Sequence, residues 1–185
     1  MNSDYRQIDR RASGLIVIDI QERLLPTIFE RERVARNAVL LIRGMQILGR
    51  NILVTEQYPK GIGPTVPEVA AALEGFHPLE KVTFSAVRAD GFNRAFAKMD
   101  ATDVILCGIE AHVCVAQTCL DLLERGLRVF VASDAVSSRT PENWKLGLER
   151  MRNAGAVIVS TEMILFELLE RAGTTEFKQL LPLLK

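Results

Sequence analysis

The chain has 185 residues, of which 48% are hydrophobic and 25% charged, and its 23 Lys plus Arg balance 23 Asp plus Glu. This composition excludes an intrinsically disordered chain. Zero formal net charge gives no electrostatic footprint for nucleic acid or an anionic membrane. A single domain of this length buries roughly 70% of the surface its unfolded form exposes, so neither disulfides nor a structural metal are needed.

Three cysteines stand at 107, 114 and 119. An odd count without paired spacing argues against a secreted disulfide scaffold, and C-x6-C-x4-C is not a zinc spacing. The polar start MNSDYRQIDRRASG and the short, acidic run LIVIDI do not read as a secretory leader. No apolar run reaches the 18 residues a membrane helix requires. A soluble, reduced, cytoplasmic protein is expected.

The elements read in chain order as alternating strands and helices. Gly14–Asp19 is a continuous apolar, β-branched run, which suits a strand covered on both faces. Val34, Ala38, Leu41, Ile42, Met45 and Leu48 form one helical stripe, stopped by Gly49. Asn51–Thr55 is a second strand. Residues Glu56–Pro67, with three prolines and two glycines, read as an irregular loop, and a short helix follows over Glu68–Leu73. Lys81–Ser85 is a short strand or extended segment, and Phe92–Lys98 a helix. Asp103–Gly108 is a strand, Val113–Glu124 a helix closed by Gly126, and Leu127–Ala132 another strand. Thr140-Pro141 caps and opens a helix to Asn153. Ala156–Val159 is the last strand, before helices over Glu162–Arg171 and Glu176–Leu183.

Strands alternating with helices predict a parallel sheet with right-handed crossovers. The expected fold is α/β: a three-layer α/β/α sandwich, Rossmann-like, with a mainly parallel sheet of six strands. One domain spans 1–185, its first 12 residues an N-terminal extension. The charged stretch Glu30–Arg33 reads as a solvated helix start.

In such sheets, ligands gather beyond the carboxyl ends of the strands. Strand one ends in Asp19 with Gln21 behind it, and strand two ends in Thr55-Glu56-Gln57-Tyr58. The third segment offers Lys81, Phe84 and Ser85, and the fourth runs Gly108-Ile109-Glu110-Ala111-His112-Val113-Cys114. Cys114 falls where a helix begins, and free N–H groups there would depress a thiol pKa and hold an oxyanion. Asp19 could exchange its proton and Lys81 could favour the thiolate. Spacing alone equally allows Cys114 as a small buried residue, Asp19 as a turn residue and Lys81 as a surface lysine. Cys107 and Cys119 read as packing, His112 as a loop or cap residue, and His77 as exposed. The sequence carries no G-x-S-x-G elbow, P-loop, G-x-G-x-x-G, H-E-x-x-H or basic–aromatic patch.

Leu15-Ile16-Val17-Ile18-Asp19-Ile20-Gln21, the Lys81 segment, Cys107–Val115 and Val131–Arg139 together resemble the isochorismatase-like cysteine hydrolases over residues 13–172. Leu53–Pro59 and Gly63–Glu68 resemble the subgroup of isochorismatase domain-containing proteins. The resemblance implies Cys114 as nucleophile, Asp19 as general base and acid, and Lys81 as electrostatic partner. It also implies a non-proline cis peptide between Ile109 and Glu110, with the N–H groups of Glu110 and Cys114 facing an oxyanion. Family members that hydrolyse nicotinamide carry an Asp-x-His and a further His for a metal. Thr55-Glu56-Gln57-Tyr58-Pro59 contains no histidine, so neither metal nor cofactor is expected. Members acting on isochorismate often lack the cysteine, so its presence points to acyl transfer through a thioester.

The expected activity is therefore metal-independent hydrolysis of a small amide-like C–N bond, with Gln21, Tyr58 and Phe84 lining the substrate. The alternatives are an idle interaction protein on the same fold, a nicotinamidase or isochorismatase proper, and a redox-sensing thiol paired with Cys107 or Cys119. The expected partners are a small-molecule substrate and further copies of the chain, as a dimer or tetramer, with no nucleic acid and no membrane. The apolar segment Leu180–Leu184 could serve such an interface or pack within the chain.

Overall fold

A computed structural model describes residues 7–184. Six parallel strands form one sheet in the order β3-β2-β1-β4-β5-β6: β1 Ser13–Ile18, β2 Ile52–Gln57, β3 Leu79–Lys81, β4 Asp103–Ile109, β5 Arg128–Ser137 and β6 Val157–Val159. The direction of winding reverses between β1 and β4, so their carboxyl ends open the crevice in which such sheets hold ligands. The three-layer α/β/α expectation is met.

The pleat explains the layers. Leu15, Val17, Ile105, Cys107 and Phe130 join one buried cluster, while Ile16, Ile18, Leu106, Val129 and Val131 join the other. The first is covered by α1 (Arg31–Ile47), and later by α7 (Thr161–Leu169) and α8 (Thr175–Leu180). The predicted α1 stripe is wholly buried, and Gly49 ends it in the left-handed region at φ 66°. Two four-residue helices, α2 (Pro59–Ile62) and α3 (Pro67–Ala70), follow β2. The second cluster is covered by α4 (Phe92–Ala97), α5 (Ala116–Glu124) and α6 (Pro141–Asn153). Thr140, Ser160 and Thr174 cap α6, α7 and α8 by accepting from the N–H three residues on.

Several boundaries differ from the sequence reading. β2 runs on through Glu56 and Gln57, because β3 pairs beside those residues. β3 ends at Lys81 instead of beginning there. The helix expected over Glu68–Leu73 is only the single turn of α3. β5 extends to Ser137 through a register shift opposite Leu106–Gly108. Residues 111–115 form a π-turn before α5, and residues 181–184 a 3₁₀ turn after α8. Leu180 is fully buried and Leu184 packs on the core, so that end of the chain folds mainly inward. Residues 1–6 of the expected extension lie outside the described residues; residues 10–12 form a 3₁₀ turn.

Candidate functional site at the carboxyl edge of the sheet

Asp19 follows β1 in the left-handed region, at φ 53°, an uncommon conformation for a residue with a side chain. The carboxylate it turns inward is wholly buried. Its Oδ1 accepts from Thr55 Oγ1 at 2.7 Å, and its Oδ2 accepts from Lys81 Nζ at 2.7 Å. Lys81 is the last residue of β3, and its side chain is also wholly buried. The ammonium donates further to Gln57 Oε1 at 2.7 Å and to the main-chain oxygens of Phe84 and Thr83 at 3.1 and 3.3 Å. Four acceptors around three N–H groups compensate the desolvation of this charge.

Cys114 lies in the π-turn of residues 111–115, immediately after β4. Gly108, at φ 122°, permits the approach of β4 to β1: a Cβ there would stand 2.0 Å from Ile18 O. On the outer side, α6 presses on the turn at Gly147, where a Cβ would meet Ala111 C and O and His112 N at 2.9 Å. The Ile109–Glu110 peptide is cis. The thiol of Cys114 is 5% exposed and interacts with both Asp19 and Lys81. Its pKa is pushed up to about 12, first by burial and then by the Asp19 charge, with Lys81 opposing. This corrects the expectation of a depressed thiol pKa: the helix-start position is right, but the depth of burial outweighs it.

The sheet thus brings together Asp19 and Lys81, from the ends of β1 and β3, and Cys114, from the turn after β4. Around them, Glu110 accepts on Oε2 from Arg139 Nε at 2.9 Å and Arg139 N at 3.2 Å, and His112 Nδ1 lies 2.9 Å from Ser138 Oγ. Tyr58 and Phe84 are half-exposed at the rim. A cleft of about 440 Å³ is lined by Tyr58, Lys81, Val82, Thr83, Arg88 and Asp90. A larger cleft of about 530 Å³ between α1 and α7 contains none of the three central residues.

Gln21 does not fit the substrate-lining expectation. It is fully buried, and its amide donates to the main-chain oxygens of Gln57 and Gly63 and accepts from Gln57 N, which spends it on the scaffold. Thr55 and Gln57, placed by the sequence at the end of strand two but given no role, each directly contact one of the central charges. The signal available was the pleat, which turns residues 55 and 57 to the same face of β2. His77 is exposed, and Cys107 and Cys119 are buried free thiols, as expected.

The end of β2 does not suit a metal. Thr55 is spent on Asp19, Gln57 on Lys81, and Glu56, on the opposite face, accepts from Thr65 N and Oγ1 at 2.6 and 2.8 Å. Among the described residues, no group of three His, Cys, Asp or Glu side chains is arranged to hold a metal ion. No helix among them is long and apolar enough to cross a membrane.

Comparison with known proteins identifies the family. The isochorismatase domain model matches residues 13–163. Isochorismatase domain-containing protein 2 of Danio rerio is 41% identical over 178 residues, covering 96% of this chain and 89% of that protein. Secreted isochorismatase effector Isc1 of Phytophthora sojae is 39% identical, covering 94% and 85%. The solved structure of MAR1 ribonuclease from Caenorhabditis elegans is 37% identical and superposes with a TM-score of 0.90, covering 96% of this chain and 92% of its own. By fold, by domain match and by relatives aligned across nearly its whole length, the chain belongs to the isochorismatase family.

Proposed function

We propose that the protein is a metal-independent cysteine hydrolase of a small amide-like C–N bond. The reading rests on one observation: the Cys114 thiol lies against a fully buried Asp19–Lys81 ion pair. With its pKa near 12, the thiol is neutral at physiological pH, so attack must be coupled to proton transfer. As Sγ bonds to the substrate carbonyl carbon, its proton passes to Asp19. The N–H groups of Glu110 and Cys114 stabilise the oxyanion. The tetrahedral intermediate collapses to a thioester as Asp19 returns the proton to the departing nitrogen. Asp19 then takes a proton from water, which attacks the thioester, and the proton passes to the Cys114 sulfur as the acid leaves. Lys81 supplies positive charge beside both reacting groups throughout.

Tyr58 and Phe84 flank the substrate's approach, and no metal or cofactor takes part. The same reading places the chain in a reducing cytoplasm, where Cys107, Cys114 and Cys119 stay free. It also places it in a dimer or tetramer, which the exposed apolar side chains Tyr58, Val82, Phe84, Met163 and Phe166 support.

A panel of small primary and secondary amides, assayed with and without EDTA, tests the activity. Turnover that survives EDTA, disappears in Cys114→Ala and leaves an acyl mass adduct on the wild-type protein supports the reading. Full activity in Cys114→Ala overturns it. RNA cleavage in place of amide turnover would favour the activity named for the nematode neighbour. A stable protein partner with no acyl adduct would favour an idle scaffold.

A further inference from the structure

Gln57 contacts the site in a way that neither the proposed chemistry nor the sequence motifs require. Its side-chain amide is unambiguous in orientation: one end must accept from Lys81 Nζ, at 2.7 Å, and the other must donate to Val82 O, at 2.9 Å. The backbone on either side of this amide is fixed as well. Gln21 Oε1 accepts from Gln57 N at 2.7 Å, and Gln21 Nε2 donates to Gln57 O at 3.0 Å. Gln57 is also in register with Lys81 across the β2–β3 ladder. The amide therefore has neither rotational nor translational freedom, and Lys81 finds a neutral acceptor at a set position opposite Asp19.

We infer that Gln57 is a positioning residue that holds the Lys81 ammonium between Asp19 and the Cys114 thiol, and so sets the reactivity of the thiol. The inference rests on the reading of Cys114 as nucleophile. Its physical content is a balance of charge. Gln57 contacts the charge of Lys81 from β3, and Lys81 in turn meets Asp19 from β1 and the Cys114 thiol from the π-turn, while Glu56 points to the opposite face of β2. One carboxylate and one ammonium sum to zero, and a neutral acceptor at 57 preserves that sum. Without the acceptor, Lys81 is left to Asp19 and the main-chain oxygens of Thr83 and Phe84. A carboxylate in its place keeps the hydrogen bond but adds a negative charge beside a thiol that must shed a proton.

The test is the second-order rate of Cys114 alkylation by iodoacetamide between pH 5 and 9, with the modified residue identified by mass spectrometry. Wild type is compared with Gln57→Met, Gln57→Glu and Lys81→Met, each checked for folding by circular dichroism. Gln57→Met is expected to lower the rate in the same direction as Lys81→Met. Gln57→Glu keeps the acceptor for Lys81 but adds a carboxylate beside the thiol, and is expected to fall about tenfold behind wild type, one pKa unit of thiol shift being one decade of thiolate. A purely structural role would not slow alkylation in Gln57→Met while circular dichroism stays that of wild type. If Lys81→Met slows alkylation but Gln57→Met tracks wild type at every pH, the inference about Gln57 is wrong and the proposed nucleophile stands. If Lys81→Met is also indistinguishable from wild type, both fail.

Discussion

Lys81 Nζ stands 2.7 Å from Asp19 Oδ2, and both side chains are completely removed from solvent. An ion pair of this kind resists the loss of either member more than it stabilises the fold, because the surviving charge stays buried without a partner. Lys81→Met and Asp19→Ala are each expected to cost about 3–5 kcal/mol. The double substitution should cost clearly less than the sum, since it leaves no stranded charge. Urea denaturation of the wild type, the two single variants and the double variant measures this, and strict additivity would show that the pair is not coupled.

The raised pKa of Cys114 determines how the protein should react with alkylating reagents. With a value near 12, the thiolate fraction grows about tenfold per pH unit throughout the neutral range. Iodoacetamide should therefore modify Cys114 ever faster from pH 6 to 9, with no plateau. A plateau below pH 8 would mean that the thiolate is already formed at rest.

The same burial makes stability depend on alkaline pH. Cys119 is pushed up to about 12 by burial, and Cys107 is raised still further by burial and then by the Asp134 charge. An unfolded thiol ionises near 8.5. Stability from these folded-state shifts is thus complete below about pH 8.5 and is lost as pH climbs toward the folded values, where the unfolded state sheds protons that the native state retains. Each such thiol adds a slope of about 1.4 kcal/mol per pH unit. Cys119→Ala should lose stability between pH 9.5 and 11 less steeply than wild type in denaturant titrations. Parallel slopes would show that this thiol ionises freely in the fold.

Gly147 is the point at which α6 bears on the turn carrying Cys114. A methyl group there meets main-chain atoms 2.9 Å away, and these cannot yield as a flexible side chain would. Gly147→Ala is expected to destabilise the protein by about 1–3 kcal/mol and to change the alkylation rate of Cys114, although the two residues are far apart in sequence. Unchanged stability and an unchanged rate would show that the turn is not braced from this side.

Asp19 was legible at the end of an apolar strand and Cys114 in the turn after another, whereas Lys81, whose short strand β3 carries no apolar run, was picked out by the family resemblance. Thr55 and Gln57 stood at a strand end without a role, and that of Gln57 depends on β2 extending two residues past the expected Thr55, into a stretch whose prolines and glycines suggested a loop. The register with β3 overrides that local signal. Gln21 was seen but misassigned: sequence shows an amide near a strand end, not the two carbonyls that consume it. The direction of the Cys114 shift was hidden for a related reason. Spacing places the thiol at a helix start, while only the packed structure shows that it is 5% exposed and faces a carboxylate. The length of β5 was concealed by the irregularity opposite Leu106–Gly108.

Lys81 takes two of its four contacts from the main-chain oxygens of Thr83 and Phe84, in the segment whose side chains Val82 and Phe84 point outward. An oxygen of the backbone is the same whatever residue bears it. The cation's seat is therefore indifferent to the chemistry of the side chains at the entrance, and the entrance can be rewritten without disturbing the charge beneath it. One reactive centre can in this way serve differently shaped molecules through exchanges at a few outward positions, with the selectivity of the door inherited separately from the workings of the lock.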